Sequence, residues 1–431
     1  MPNPEADAHL RLVRWLLPVL ILGGVLARLI LIVLEHGRLD DPDRYLDLAR
    51  SLVEGRGLAI NGRLTAYRPP LYPVVLAPLV AGLSRAGLPW GIGALHLALG
   101  AATIGLTHAT ARRWGLGPVR ALVAAAIVAF DPVLVGQARS VMTETLAAFL
   151  VAATLAGLSI PGRLGAVLGG LGFGLASLCR PSFLPPALLT ALLGLLLGPG
   201  AWRPRVERSG LLVLVLILTL LPWAWRNQTV FGEPVWTTTH GGYTLALANN
   251  WAYYHDVLDG PPGAVWGGIN QSRWMSDQER ETSGMSEPEA DRLLRSQALK
   301  MLTDRPSDFA RASVERFKRF WGLAPSGLVY PTWLRLMTRA WTLPLWLALA
   351  AGFTRRAVWT WPEVAAPALL IALTLVHLVY WTDLRMRSPV VPAIALIVAG
   401  VGIDRWGGDG LTATVGRSKT MARLFKKTMR H

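Results

Sequence analysis

The chain has 431 residues, of which 52% are hydrophobic and only 16% are charged. Soluble domains usually carry nearer a quarter charged residues, so this composition predicts a chain embedded in a lipid bilayer. The formal net charge is +16, but the Lys and Arg residues lie in short clusters between apolar runs. That distribution is typical of the cytoplasmic loops of polytopic membrane proteins and argues against nucleic acid as a partner.

Apolar runs of membrane-spanning length recur along the chain, and the first is followed by no small-residue cleavage site. We therefore predict an all-α polytopic membrane protein with about ten transmembrane helices. The predicted spans are 15–34, 90–110, 118–136, 142–159, 163–179, 183–199, 209–225, 337–354, 363–381 and 388–403.

The basic clusters between these runs predict which turns face the cytoplasm. Basic residues before the first run place the N-terminus inside, so the following loop, 35–90, lies outside. A shorter apolar stretch, 71–83, raises the question of an extra crossing. If it crossed, the clusters at 112–113 and 203–208 would face outward, against the positive-inside trend. We expect an interfacial or re-entrant juxtamembrane helix there instead.

A polar stretch of roughly 110 residues, 226–336, is too long for a simple connector between helices. It contains a Ser-x-x-Glu capping signal at Ser286, followed by a helical pattern over 287–321. The predicted organisation is an N-terminal transmembrane catalytic body (1–225), a small extracytoplasmic domain (226–336), C-terminal transmembrane helices (337–404) and a basic cytoplasmic tail (405–431). The expected location is the cytoplasmic membrane, with the active site on its extracytoplasmic side.

The first outer loop is rich in acids, with Asp40, Asp41 and Asp43 inside four residues. Asp41 before Pro42 is a natural helix N-cap, and capping alone accounts for one aspartate. Three exceed what one cap needs, and a carboxylate at a membrane surface can serve as a general base. The second candidate is Glu144, at the outer end of an apolar run, where an ionisable group is costly unless it faces water.

Arginines also occur in four separate predicted outer turns, against the positive-inside trend. Guanidinium groups bind phosphate bidentately, so several together can hold a lipid-linked phosphate at the head-group level. Snorkelling to outer-leaflet phosphates explains any one of them, but explains four less well. These candidates are Arg68, Arg180, Arg226 with the adjacent Asn227, and Arg385 with Arg387.

Other site chemistries have little support in the sequence. His96, His108 and His377 lie in apolar runs without the spacing of metal ligands, so no metal site is expected. No Gly-rich phosphate-binding loop is present, which argues against direct use of a nucleotide.

Six segments, in this order, resemble the C-type (GT-C) membrane glycosyltransferases, in particular the bacterial proteins similar to protein O-mannosyltransferases and lipid A aminoarabinose transferases. The segments are "DPDRYLDLARSLVEGRGL", "AYRPPLYPVVLAPL", "ARSVMTETLAAFL", "LASLCRPSFL", "LPWAWRNQTVFGEPV" and "RMRSPVVPAIAL". The resemblance implies an inverting transfer of a sugar from a polyprenyl-phosphate donor to an extracytoplasmic lipid, glycan or protein.

The resemblance also implies roles for residues. The essential acid of the family's first outer loop matches Asp41, by its spacing to Tyr45, and the acid of the second loop matches Glu144. This chain has "DDPD" where the mannosyltransferases carry Asp-Glu, so Asp40 or Asp43 can share the role. The expected site has catalytic Asp41 and Glu144, with Asp40, Asp43, Tyr45, Arg68, Tyr72, Arg180, Arg226, Asn227, Arg385 and Arg387 binding substrate.

Two functions of other classes remain open at this stage. A transporter or flippase for a lipid-linked substrate would need charged residues near the middle of the bilayer and an internal repeat, and neither is evident. A non-enzymatic assembly factor would depend on the region 226–336 and not on Asp41.

Overall fold

The structure is a computed structural model that describes residues 4–35, 39–261, 264, 266–325 and 330–401. The predicted basic tail, 405–431, lies outside these residues. Helices account for almost all regular structure in the described chain, which confirms the all-α class. In chain order the elements are α1 (Pro4–Leu34), α2 (Tyr45–Val53), β1 (Ala59–Ile60), β2 (Arg63–Leu64), α3 (Leu71–Gly82), α4 (Leu88–Arg113), α5 (Pro118–Phe130), α6 (Pro132–Gly136), α7 (Glu144–Leu158), α8 (Arg163–Cys179), α9 (Leu184–Leu197), α10 (Trp202–Phe231), α11 (Gly241–Ala248), α12 (Trp251–Tyr253), α13 (Ile269–Glu281), α14 (Glu287–Asp304), α15 (Pro306–Phe320), α16 (Thr332–Phe353), α17 (Ala365–Val379) and α18 (Val391–Ala399).

Helical structure lies in every segment predicted to span the bilayer. Four helical stretches of the described chain are long and apolar enough to cross a membrane, and several others are shorter. The four are Trp15–Leu34, Leu88–Arg113, Pro118–Arg139 and Trp202–Phe231. A full crossing needs roughly 20 residues, so the predicted number of spans stays a prediction.

The core of the bundle is formed by helices that are apolar on every side. Helices α7 and α18 are buried along almost their whole length. Helices α1 and α10 instead expose apolar side chains outward, among them Trp15 and Trp225. An apolar outer surface around an apolar core is what a bilayer-embedded bundle requires.

The turns between helices gather at two opposite ends of the bundle. At one end, Arg113 donates to the carbonyl of Ala156, and Trp114 donates to Ser159 Oγ at 2.8 Å. At the other end, the amide of Val141 donates to the carbonyl of Asp40 at 2.7 Å. The basic turn at 112–113 and the acidic first loop therefore lie at different ends of the bundle, as expected if 71–83 does not cross the bilayer.

The helix in the first loop begins later in the chain than its sequence suggests. Helix α2 begins at Tyr45, and Arg44 before it has a left-handed backbone with φ 60°. An N-cap at Asp41 predicts Pro42 as the first helical residue, and this start was wrong. Asp41 nevertheless caps the helix from outside, because its carboxylate accepts hydrogen bonds from the amides of Tyr45 and Leu46, both at 2.9 Å.

After α2 the loop forms a hairpin and then the short helix α3. The hairpin turn is Asn61-Gly62, and both residues have positive φ. Asn-Gly is the pair that a two-residue hairpin turn favours, so this element had a sequence signal that was missed. Helix α3 has 12 residues, fewer than a crossing needs, and is anchored to α4 because Tyr72 Oη bonds His96 Nε2 at 2.8 Å.

The region between α10 and α16 has an apolar core of its own, separate from that of the bundle. Its centre is aromatic, with Tyr253, Trp266 and Trp274 buried together. The capping signal at Ser286 is confirmed as a reciprocal capping box with Glu289. The helical pattern that follows is divided into α14 and α15 at Pro306, because proline cannot continue the hydrogen-bond ladder of a helix.

Candidate active site

Glu144 is the buried anion at the centre of the site. It is the first residue of α7, and its side chain is fully enclosed. The carboxylate lies 2.9 Å from Arg180 Nη1 and 3.9 Å from Arg385 Nε. Since a buried charge is tolerated only when it is paired, these two arginines explain how an acid can sit inside an apolar bundle.

The two arginines come from turns that are distant in sequence. Arg180 follows the last residue of α8, and its Nη1 also donates to Thr143 Oγ1 at 2.9 Å. Arg385 lies in the short 3-10 helix Leu384–Val390, where Asp383 accepts a hydrogen bond from its Nε at 3.2 Å. Burial works to lower the pKa of Arg385, but the charges of Asp383, Glu144 and Asp43 together raise it above the ordinary value.

A third arginine joins the site from the first outer loop. Arg68 pairs with Asp43 at 2.8 Å, and its Nη1 lies 3.5 Å from Nε2 of His240. The His240 ring also packs edge-on against Tyr67, with centroids 4.2 Å apart. Burial, and secondarily the charge of Arg68, hold the pKa of His240 well below its usual range, so the ring is neutral.

Asp41 is placed beside these pairs without being part of one. Within the described chain, no arginine or lysine forms an ion pair with Asp41. Burial raises the pKa of Asp41, and the hydrogen bonds from the amides of Leu46 and Tyr45 lower it in part. The ring of Tyr45 is buried and packs edge-on against that of Tyr72, with centroids 5.2 Å apart.

The structure thus brings together most, but not all, of the expected residues. The residues that lie around one region, at the end of the bundle that carries the loop 35–90, are Asp41, Asp43, Tyr45, Arg68, Tyr72, Glu144, Arg180 and Arg385. Asp40 is an exposed neighbour that contributes its carbonyl to the link with Val141.

Three expected residues have contacts elsewhere. Arg387 is buried, with Nη1 donating to the carbonyl of Phe320 at 3.2 Å and its guanidinium 4.7 Å from the centre of the Trp346 ring. Arg226 donates to the carbonyls of Thr65 and Leu58. Asn227 donates to the carbonyl of Val235 and accepts from Arg226. The contacts of Arg226 and Asn227 hold the first loop and the turn after α10 in place.

Asp383 and His240 were missed by the sequence reasoning. Asp383 had a signal, since it stands two residues before Arg385 in a predicted outer turn. His240 had none, because nothing in "TTTHGGY" predicts a contact with Arg68. Across the described chain, no group of three or more His, Cys, Asp or Glu side chains is arranged to hold a metal ion.

No protein-family model and no curated protein matches the sequence. Solved structures do resemble the fold. ArnT from Cupriavidus metallidurans bound to undecaprenyl phosphate matches with a TM-score of 0.51 at 16% identity, over 93% of this chain and 63% of ArnT. The archaeal oligosaccharyltransferase AglB from Archaeoglobus fulgidus, in complex with an inhibitory peptide and a dolichol-phosphate, matches with a TM-score of 0.52 at 15% identity, over 97% of this chain and 52% of AglB.

This chain has a GT-C-like fold. It spans about two thirds and about half of the lengths of these two GT-C proteins. At this level of identity the likeness concerns the fold.

Proposed function

We propose that this protein is an integral-membrane glycosyltransferase that moves a sugar from a polyprenyl-phosphate donor to an extracytoplasmic acceptor by an inverting mechanism. One observation carries the proposal. Arginines from three separate turns, Arg68, Arg180 and Arg385, meet carboxylates at one end of an apolar bundle with a GT-C-like fold. An array of this kind suits the phosphate of a lipid whose chain remains in the bilayer.

Arg385 is the principal candidate for phosphate binding. Among the described residues, the hydrogen bonds of its side chain use only Nε, so Nη1 and Nη2 can donate to a ligand. A guanidinium carries five N–H donors, and paired terminal nitrogens match two phosphate oxygens. Arg180 and Arg68 would complete the cationic side of the site, while Glu144, Asp383 and Asp43 keep the three guanidinium groups oriented.

Asp41 is the candidate base. Its carboxylate has no cationic partner in the described chain, whereas those of Asp43 and Glu144 are held by arginines. A raised pKa makes a carboxylate a better proton acceptor, provided that it stays ionised at the working pH. In the transfer, the acceptor oxygen bonds to the anomeric carbon and gives its proton to Asp41. The bond from that carbon to the phosphate oxygen breaks, and the polyprenyl phosphate leaves with the electron pair.

The decisive test is turnover by the purified full chain with polyprenyl-phosphate sugars of several kinds and a mixture of envelope acceptors. We expect release of polyprenyl phosphate together with labelled product. Arg385→Gln should reduce the rate at least about a hundredfold, because charge stabilisation of this kind is worth about 3–4 kcal/mol. The matched control is Arg139→Gln, which removes an exposed outer-end arginine paired with Glu35.

The same preparations distinguish the alternative function. Movement of intact lipid-linked sugar across vesicles, with no cleavage of the donor, would identify a flippase and overturn the proposal. Equal loss of activity in both arginine variants would show that the effect is not specific to the site.

A further inference from the structure

A cavity of about 390 Å³ lies between the first outer loop and the region after α10. Its walls come from the loop, from the chain before α11, and from helices α11, α13 and α14. The aromatic and acidic residues of the lining are Tyr67, Tyr243, Glu279, Glu287 and Asp291. Cavities of this volume are large enough for a small ligand group.

The cavity adjoins the arginine site through a short series of rings. Tyr67, at one wall, precedes Arg68 in the chain and packs against His240. The ring of Tyr243, at another wall, is stacked on His240 with centroids 5.2 Å apart. His240 in turn contacts Arg68. The rings of Tyr67, Tyr243 and His240 therefore separate the cavity from Arg68, so the cavity is adjacent to the arginine site.

The lining chemistry favours one class of molecule. Glu279, Glu287 and Asp291 line the cavity, and none of the described residues in its lining is a lysine, an arginine or a histidine. Tyr67 and Tyr243 add aromatic faces. Carboxylates accept hydrogen bonds from hydroxyl groups, and aromatic faces cover the C–H faces of a sugar ring. A phosphate or carboxylate on the ligand would be repelled by the acids.

Two of the three acids are held in position by specific contacts. Glu287 Oε2 accepts from the amide of Ala66 at 2.8 Å and from Thr239 Oγ1 at 2.9 Å. Asp291 pairs with Arg295 at 2.9 Å. Glu279 is exposed at the edge of the cavity. The fold thus fixes the positions of Glu287 and Asp291, with the charge of Asp291 offset by Arg295, whereas Glu279 can be mutated without breaking such contacts.

We propose that this cavity binds the acceptor, and that the acceptor presents a hydroxyl-rich group without negative charge, a sugar in kind. This inference rests on the proposed function, since it assigns the second substrate of the same site. It predicts a preference that the arginine site by itself would not produce, because the cationic cluster would favour anionic molecules.

The experiment measures binding of three free sugars to the full chain in nanodiscs by saturation-transfer NMR, without any donor. The probes are glucose, glucosamine and glucose 6-phosphate. Glucose and glucosamine should bind, and glucose 6-phosphate should bind about tenfold more weakly because two or more carboxylates oppose its charge. Glu279→Gln should reduce that difference about threefold. Glu281→Gln is the matched control, since it removes the same charge from the same helix outside the cavity lining.

Tyr243→Leu supplies an independent measurement, because it removes an aromatic face without touching charge. It should weaken binding of all three sugars about equally and therefore keep the preference against glucose 6-phosphate. Tighter binding of glucose 6-phosphate than of glucose, or no binding of any sugar, would overturn the inference. Failure of the wild type to bind polyprenyl phosphate or to cleave the donor would instead contradict the proposed function, so the two failures are distinguishable.

Discussion

At the scale of single residues, the chain accommodates a fully enclosed carboxylate inside an apolar bundle. Glu144 is tolerable there because Arg180 and Arg385 neutralise it. Arg28, inside α1, is also a buried charge, and backbone carbonyls bind it where a carboxylate could. Its guanidinium donates to the carbonyls of Val128 and Ala129 near the C-terminus of α5, so its role is to bind otherwise unpaired backbone groups.

We predict that Glu144→Gln destabilises the fold by about 3 kcal/mol, because it leaves Arg180 largely buried without its counter-ion. Thermal or denaturant unfolding of the detergent-solubilised protein measures the change. The matched control, Glu35→Gln, breaks an exposed ion pair with Arg139 and should cost less than about 1 kcal/mol. Equal effects of the two substitutions would contradict the assigned importance of burial.

Asp41 predicts the pH dependence of transfer. Its pKa is raised above the ordinary value of 3.8, and a base must be deprotonated to act. The rate should therefore fall as the pH drops through this raised pKa and level off above it. Asp41→Asn should abolish transfer, with expression and insertion intact. The variant Glu54→Gln changes an exposed acid of the same loop, paired with Arg56, whose charge does not contribute to the pKa shift of Asp41, and it should keep both the rate and the pH profile. A wild-type profile without an acidic limb would argue against Asp41 as the base.

At the scale of elements, the first loop is held in place by a capping contact within it and by hydrogen bonds to α4 and α14. Asp41 caps α2, Tyr72 ties α3 to α4, and Glu287 at the start of α14 accepts from the amide of Ala66. The site is therefore assembled from elements that are positioned by tertiary hydrogen bonds. Loop residues in such a framework are rigid where those bonds exist and mobile where they are removed.

We predict that Glu287→Ala speeds hydrogen exchange at the amide of Ala66 by at least about tenfold, since a hydrogen bond to a charged acceptor is worth about 1.5–3 kcal/mol. Exchange mass spectrometry resolves the peptide around this residue. Glu233→Ala removes a different acid that contacts α14 through Arg292, and it should leave exchange at Ala66 unchanged. Unaltered exchange in Glu287→Ala would show that the loop is held by other contacts.

Several elements were predictable, and the exceptions have physical reasons. Apolar runs determine helix positions because the bilayer requires every backbone group to be bonded within its own segment. The start of α2 was misplaced by three residues because a local turn with Arg44 in the left-handed region precedes the helix, and no simple sequence signal marks a left-handed arginine. Pro306 predicts the division between α14 and α15, but the helical pattern predicted over 287–321 did not include it.

At the scale of the whole molecule, the orientation in the membrane is a prediction from charge. The chain's native cysteine, Cys179, is buried, so introduced cysteines can be labelled against a low background. Ser283→Cys should react with an impermeant maleimide added outside intact cells. Thr354→Cys, next to the basic pair Arg355 and Arg356, should react only after the membrane is opened. Labelling of Thr354→Cys from outside would overturn the predicted topology.

The sequence by itself determined the all-α membrane class, because hydropathy and charge act locally and need no knowledge of the fold. It also singled out Asp41, Glu144 and the outer arginines, because charges beside apolar runs are costly and conspicuous. Only the tertiary structure decided which of them meet. Arg385 and Arg180 converge on Glu144, whereas Arg387 turns toward Trp346. Glu144 and Arg385 are more than two hundred residues apart in the chain, and their contact arises from helix packing that no local pattern encodes.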